Sequence, residues 1–123
     1  MARLLIADDS AAISQLLQRY FTRHGYEAAT VPDGEAALAL LRRGEVPDLV
    51  MADVTMPRLG GGELLRAMRA DSRLRGVPVV LMSGADLQEE SARAYGDYQA
   101  WMQKPFDLQQ MLATVQRVLA ART

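Results

Sequence analysis

Asp8 and Asp9 end the apolar run Leu4-Leu5-Ile6-Ala7, and Asp53 ends a second such run, Leu49-Val50-Met51-Ala52. A carboxylate that stops a buried strand sits at the strand's carboxyl tip. In open parallel α/β sheets the ligand crevice lies at those tips. Three carboxylates gathered there repel one another: at about 4 Å and an effective dielectric of about 20, each pair costs roughly 4 kcal/mol. A cation is therefore expected beside them. Thirteen of the fourteen basic residues are arginine, and the single lysine, Lys104, follows a further short strand-like stretch. Ser83 closes one more apolar run, Val79-Val80-Leu81-Met82. Singly, each of these residues is an ordinary polar strand end. Together they describe three carboxylates, one hydroxyl and one ammonium on one sheet edge.

The elements that must position them alternate between short apolar runs and helical periods, the signature of a βα repeat with a parallel sheet. Strands are expected at Leu4 to Ala7, Glu27 to Val31, Leu49 to Ala52, Val79 to Met82 and Ala100 to Met102. Ile13, Leu16, Leu17, Tyr20 and Phe21 form the first helical stripe, stopped by Gly25. The turn Pro32-Asp33-Gly34 leads to a short helix over Ala36 to Leu41, closed by Gly44 and Pro47. Gly60-Gly61-Gly62 reads as a loop before a helix carrying Leu64, Leu65 and Met68. A fourth helix, about Leu87 to Tyr95, has a thin apolar face, whereas Leu108, Met111, Leu112, Val115 and Leu119 make a strongly periodic fifth. The expected fold is α/β and flavodoxin-like: a (βα)₅ three-layer sandwich on a five-stranded parallel sheet of order 2-1-3-4-5. That order places strands 1, 3 and 4 side by side, with the switch point between 1 and 3.

A length of 123 residues fits one domain, residues 1–123, and 50% hydrophobic with 24% charged residues reads as globular. A formal charge of −1 favours neither nucleic acid nor an acidic membrane surface. The absence of cysteine removes disulfides, thiol nucleophiles and zinc clusters. The first apolar stretch is too short for a secretory signal, and no run is long enough to span a bilayer. A cytoplasmic protein is the expectation.

Four segments now make a more specific resemblance: Leu5-Ile6-Ala7-Asp8-Asp9-Ser10, Asp53-Val54-Thr55-Met56-Pro57, Leu81-Met82-Ser83-Gly84-Ala85 and Lys104-Pro105-Phe106. In order and spacing the chain resembles the receiver domain of two-component response regulators, over essentially its whole length, and a single-domain, chemotaxis-regulator-like example in particular. The resemblance implies that Asp53 accepts a phosphoryl group from a histidine kinase or histidine phosphotransfer protein. It implies Mg²⁺, with Mn²⁺ as an alternative, held by Asp9 and Asp53, by Asp8 through water and by the Thr55 backbone carbonyl. Hard oxygen ligands and retained waters are what Mg²⁺ prefers. Lys104 would supply counter-charge, Ser83 a hydrogen bond to the phosphoryl group, and the Lys104-Pro105 bond would be cis. The module would be a switch that catalyses only its own phosphorylation and dephosphorylation.

Two places depart from the family pattern. Gly60 stands where an acidic or small polar residue is usual, and the segment Asp97 to Trp101 is about one residue longer than usual. Trp101 falls where the family carries tyrosine or phenylalanine, an aromatic thought to turn inward on activation. Four of seven aromatics, Tyr95, Tyr98, Trp101 and Phe106, cluster here, and exposed aromatics often anchor interfaces. With Pro105 they mark a face of the fourth helix, fifth strand and fifth helix for a downstream protein target, the chain being a monomer or a weak dimer through that face. Phe106 suits the core better than the other three.

Other residues are read as structural. His24 caps the first helix, the seven methionines fill core and loops, and pairs such as Arg42-Arg43 are solvated helix ends. The triple glycine lacks the lysine and hydroxyl of a P-loop. Three other functions compete. The domain could be cut from a larger response regulator or hybrid histidine kinase. An aspartyl-nucleophile phosphatase needs a second aspartate that Asp53-Val54-Thr55 lacks. A flavin carrier of the same topology needs a Ser/Thr/Gly phosphate loop where this chain has Asp8-Asp9.

Overall fold

The computed structural model describes residues 1–84 and 93–122. Five parallel strands, β1 Arg3–Ala7, β2 Glu27–Val31, β3 Leu49–Asp53, β4 Val79–Ser83 and β5 Ala100–Gln103, form one sheet in the order β2-β1-β3-β4-β5. Among the described residues four helices surround it: α1 Ala11–Arg23, α2 Gly34–Arg43, α3 Gly61–Ala70 and a C-terminal helix, Leu108–Ala121. The expected flavodoxin-like order is the observed one. The expected fourth helix falls mostly outside the described residues, which hold only a 3₁₀ turn, Arg93–Tyr95.

The central strands read as unbroken apolar runs because both faces of a parallel sheet are covered. Every residue of β3 and β4 is buried, as are Leu4 to Ala7 of β1. Alternate residues divide them between two cores. Leu5, Ala7, Val50, Ala52, Val79 and Leu81 meet Ala37 and Leu41 of α2 and Leu64, Leu65 and Met68 of α3. Leu4, Ile6, Leu49, Met51, Val80 and Met82 meet Leu17 and Phe21 of α1 and Met111, Val115 and Val118 of the C-terminal helix. Each large side chain withdrawn from water is worth roughly 1.5–3 kcal/mol. That makes the three layers the expected sandwich.

Helix ends differ from the sequence expectation in two places. Asp33, read as a turn residue, is the N-cap of α2: its carboxylate accepts from the Ala36 N–H at 2.7 Å, so the helix begins at Gly34 and runs on to Arg43. Gly61 and Gly62, read as loop, form the buried first turn of α3, with Gly60 as an N-cap that makes no side-chain hydrogen bond. A Cβ on Gly61 would lie 2.5 Å from the Asp53 carbonyl, so the missing side chain lets α3 start directly against β3. β5 also extends one residue beyond expectation, to Gln103. His24 caps α1, its Nδ1 2.8 Å from the Tyr20 carbonyl.

Candidate functional site at the carboxyl edge of the sheet

Strand register sets the site. Ala7 pairs with Ala52, so the next residues, Asp8 and Asp53, reach the edge side by side. Ser83 pairs with Gln103, and the Lys104 N–H donates to the Ser83 carbonyl at 2.7 Å, which starts the lysine from the same edge. Lys104 Nζ then donates to Asp53 Oδ2 at 2.5 Å and to Asp8 Oδ2 at 2.9 Å. The only ammonium side chain thus bridges two buried carboxylates, 96 and 51 positions away in sequence. Burial works against its charge, but the hydrogen bonds to Asp53 and then Asp8 outweigh it and hold Lys104 above the ordinary lysine value.

The remaining carboxylate oxygens are fixed by backbone. Asp53 Oδ1 accepts from the Thr55 N–H at 3.0 Å, and Asp8 Oδ1 from the Ser10 N–H at 2.8 Å. Ser10 in turn caps α1, and the Ser14 hydroxyl donates to the Asp8 carbonyl at 3.2 Å. Asp9 is exposed at the mouth, beside a cavity of about 200 Å³ lined also by Asp8 and Ser14. Ser83 is buried at the tip of β4, its hydroxyl donating to the Gly84 carbonyl at 3.0 Å. The Lys104-Pro105 peptide is cis.

One oxygen from each of Asp8, Asp9 and Asp53 lies within 4.8 Å of the others. Three negative charges against the single ammonium leave two uncompensated, which a divalent cation would neutralise. All-oxygen donors beside an open mouth suit Mg²⁺, which keeps waters and takes few protein ligands. Thr55 is exposed in the loop after β3, and its carbonyl accepts no hydrogen bond among the described residues.

The aromatics do not form one surface. Tyr95, Tyr98 and Trp101 pack against the core under α2 and α3, whereas Phe106 packs against the opposite core with α1 and the C-terminal helix. Tyr98 and Trp101 lie 6.2 Å apart between ring centroids, both partly exposed, and Pro105 is exposed.

A second ionic pair flanks the site and escaped the sequence reading. Arg58 Nε and Nη2 donate to Asp33 Oδ2 at 2.9 and 2.7 Å, tying the loop after β3 to the cap of α2. The Ala36 N–H first, and the Arg58 guanidinium second, hold the Asp33 carboxyl below the usual carboxylate range, while Asp33 holds Arg58 above its ordinary value. The available signal was Asp33 as an N-cap; nothing local in Met56-Pro57-Arg58 points to its partner.

The fold and site together are a parallel α/β sheet with an acidic trio at its switch point and a lysine bridging two of the three carboxylates. Residues 4–116 match the response regulator receiver domain, and the chain belongs to that family. It is 32% identical to protein PilH of Pseudomonas aeruginosa over 123 residues, 98% of this chain and 99% of PilH. It is also 32% identical to the DNA-binding dual master transcriptional regulator RpaA of Synechocystis, where it spans only 51% of the longer protein. Among solved structures, chemotaxis response regulator CheY4 of Vibrio cholerae superposes with a TM-score of 0.86 at 32% identity, covering 96% of this chain and 98% of CheY4. The Francisella response regulator 1452 receiver domain gives 0.88 at 26% identity, covering 100% of both chains. The chain is thus a receiver domain of two-component signalling. Among the described residues no helix is long and apolar enough to cross a membrane.

Proposed function

We propose that the chain, residues 1–123, acts as one phosphoacceptor switch in which Asp53 is the residue phosphorylated. The observation that carries this is the placement of Asp53: last residue of β3, one oxygen on the Thr55 N–H and the other on Lys104. Phosphoryl transfer asks the protein chiefly for positioning and charge stabilisation. The phosphorus–nitrogen bond of a phosphohistidine, on a histidine kinase or phosphotransfer protein, breaks as a phosphorus–oxygen bond forms to the Asp53 carboxylate, leaving an acyl phosphate. Lys104, freed from one Asp53 oxygen, donates to the arriving phosphoryl group, and the Ser83 hydroxyl turns from the Gly84 carbonyl to do the same. Asp8, Asp9, Asp53 and the Thr55 carbonyl would hold Mg²⁺ or Mn²⁺. When bound, the ion supplies electrostatic stabilisation of the phosphoryl oxygens and lowers the repulsion within the acidic trio.

The output is read at the surface around Tyr95, Tyr98 and Trp101, next to β5, with Pro105 at its edge and Phe106 packed on the opposite core. A downstream protein partner binds there, and the chain, working in the cytoplasm, is a monomer or weak dimer through that surface. The family is a signalling module, and self-phosphorylation and self-dephosphorylation are its only chemistry in this reading.

Incubation of the pure protein with a small acyl phosphate and Mg²⁺, read by intact mass, tests the assignment. One phosphoryl group is expected, absent with chelator and absent in Asp53→Ala. Labelling that survives in Asp53→Ala would place the nucleophile elsewhere.

A further inference from the structure

We infer that the Arg58–Asp33 pair is a positioning device for the cation: it holds the loop after β3 so that the Thr55 carbonyl faces the acidic trio. This rests on the cation site proposed above.

The loop from Val54 to Gly60 is closed at its base. The Val54 N–H donates to the Met82 carbonyl at 2.8 Å, and the Gly61 N–H to the Val54 carbonyl at 3.2 Å. Between these points the backbone must reverse, and Arg58 takes φ 67°, the only non-glycine residue with positive φ among those described. That conformation is unfavourable for a side-chain-bearing residue and persists only where surrounding contacts over-determine it. Burial does not hold Arg58, whose side chain is 60% exposed. A local turn, the Leu59 N–H donating to the Pro57 carbonyl at 2.7 Å, holds it together with two contacts to the start of α2: the guanidinium on Asp33 Oδ2, and the Leu59 carbonyl accepting from the Gly34 N–H at 2.9 Å.

The anchor is rigid. Asp33 is 3% exposed, and its other oxygen caps α2, which is buried through Ala37 and Leu41. From this fixed point the chain runs back through Pro57 and the buried Met56 to Thr55, three residues before Arg58. The Thr55 N–H is already on Asp53 Oδ1, which fixes the peptide before Thr55 and leaves the next one, which carries the Thr55 carbonyl, to be held from the Arg58 side. Releasing the Arg58 side frees Thr55 to turn its carbonyl away from the trio. The carboxylates would remain in place and one ligand would be lost. Outer partners of metal ligands commonly act in this way.

The test is calorimetric titration of the full chain with MgCl₂ alone, paired with urea unfolding in the absence of Mg²⁺. Asp33→Asn keeps a competent N-cap while removing the charge that Arg58 binds. Arg58→Gly removes the guanidinium while relieving the left-handed strain. Each is expected to weaken Mg²⁺ binding about tenfold. Arg58→Gly should do so without a fall in the urea midpoint, which a purely structural role would not produce. Arg58→Lys should recover part of the affinity, and the Asp33→Asn/Arg58→Gly double variant should bind no worse than either single one. Wild-type affinity in Asp33→Asn and Arg58→Gly, with binding lost in Asp9→Asn, would overturn the inference and leave the cation site standing. Affinity that merely follows the urea midpoint across the variants would overturn it too. A wild-type chain that binds no Mg²⁺, or an Asp9→Asn variant that binds as well as wild type, would remove the cation site and the inference together.

Discussion

Gly62 and Tyr95 occupy adjoining halves of one space: a Cβ on Gly62 would lie 2.5 Å from Cδ2 of the Tyr95 ring. The ring therefore lies on the bare backbone of the first turn of α3, with the Arg66 guanidinium 5.0 Å from its centroid on the next turn. Gly62→Ala should drive the ring out and cost about 1–3 kcal/mol in urea unfolding, the usual penalty of overpacking. Tyr95→Ala should also destabilise, by opening a cavity. Adding it to Gly62→Ala should cost less than the sum, because the clash is gone. Additive costs would show that the two residues do not share the space.

The Asp33 carboxyl lies below the usual range because the Ala36 N–H and then Arg58 favour its charged form. A folded value below the unfolded one means that Asp33 stabilises the fold above the unfolded value, about 3.9. The contribution fades as pH falls below that value and is gone once pH passes the lower folded one. Unfolding midpoints from pH 6 down through the carboxylate range should therefore fall more steeply for wild type than for Asp33→Asn. Equal slopes would mean that the carboxylate charge is not used.

The central strands and the reactive edge were legible because their signals are local and repeated. An apolar run buried on both faces ends in a charged residue, and topology alone brings Asp8, Asp53, Ser83 and Lys104 together. The start of α3 was not legible. Glycine disfavours a helix interior by about 1 kcal/mol, so Gly61 and Gly62 read as loop. What overrides that preference is tertiary: the Asp53 carbonyl and the Tyr95 ring fill the space where side chains would stand. The Arg58–Asp33 pair was hidden for the same reason, since 25 positions separate residues that touch only in the fold. The aromatics between Tyr95 and Phe106 look like one patch in sequence. The parallel sheet sends Trp101 and Phe106 to opposite cores.

Arg69 shows a further use of arginine that composition does not reveal. Near the end of α3, its guanidinium donates to the carbonyls of Asp97, Arg75 and Val77 and to Gln99 Oε1, at 2.9, 3.0, 2.8 and 3.2 Å. Gln99 Oε1 also accepts from the Val79 N–H, so the start of β4 and the lead-in to β5 meet at one side chain. Burial lowers the Arg69 pKa, with Asp97 opposing, yet an arginine keeps its charge at any accessible pH. Arg69→Met retains much of the stem and should cost roughly 2 kcal/mol in urea unfolding, as expected for hydrogen bonds from a charged donor. Faster amide exchange over residues 97–100 should accompany it. Unchanged exchange there would mean that Arg69 does not hold the segment.

Lys104 belongs to both the stability and the chemistry of the site, and its alkaline titration separates them. Burial disfavours its charge, the hydrogen bonds to Asp53 and Asp8 favour it, and the favourable contribution wins, so the folded pKa is raised. A raised folded value means that the contribution to stability is complete below the unfolded lysine value. It declines above that value and is lost as pH rises through the folded one. Wild type should therefore lose stability at alkaline pH in a step that Lys104→Met lacks. At neutral pH Lys104→Met leaves Asp8 and Asp53 buried without their cation. Lys104 is only partly enclosed, so the cost should fall between the roughly 0.5 kcal/mol of an exposed pair and the roughly 3–5 kcal/mol of a broken buried one. Mg²⁺ offers the same carboxylates another positive charge, so saturating MgCl₂ should stabilise Lys104→Met more than it stabilises wild type. Equal stabilisation of the two proteins would show that lysine and ion do not share the charge of Asp8 and Asp53.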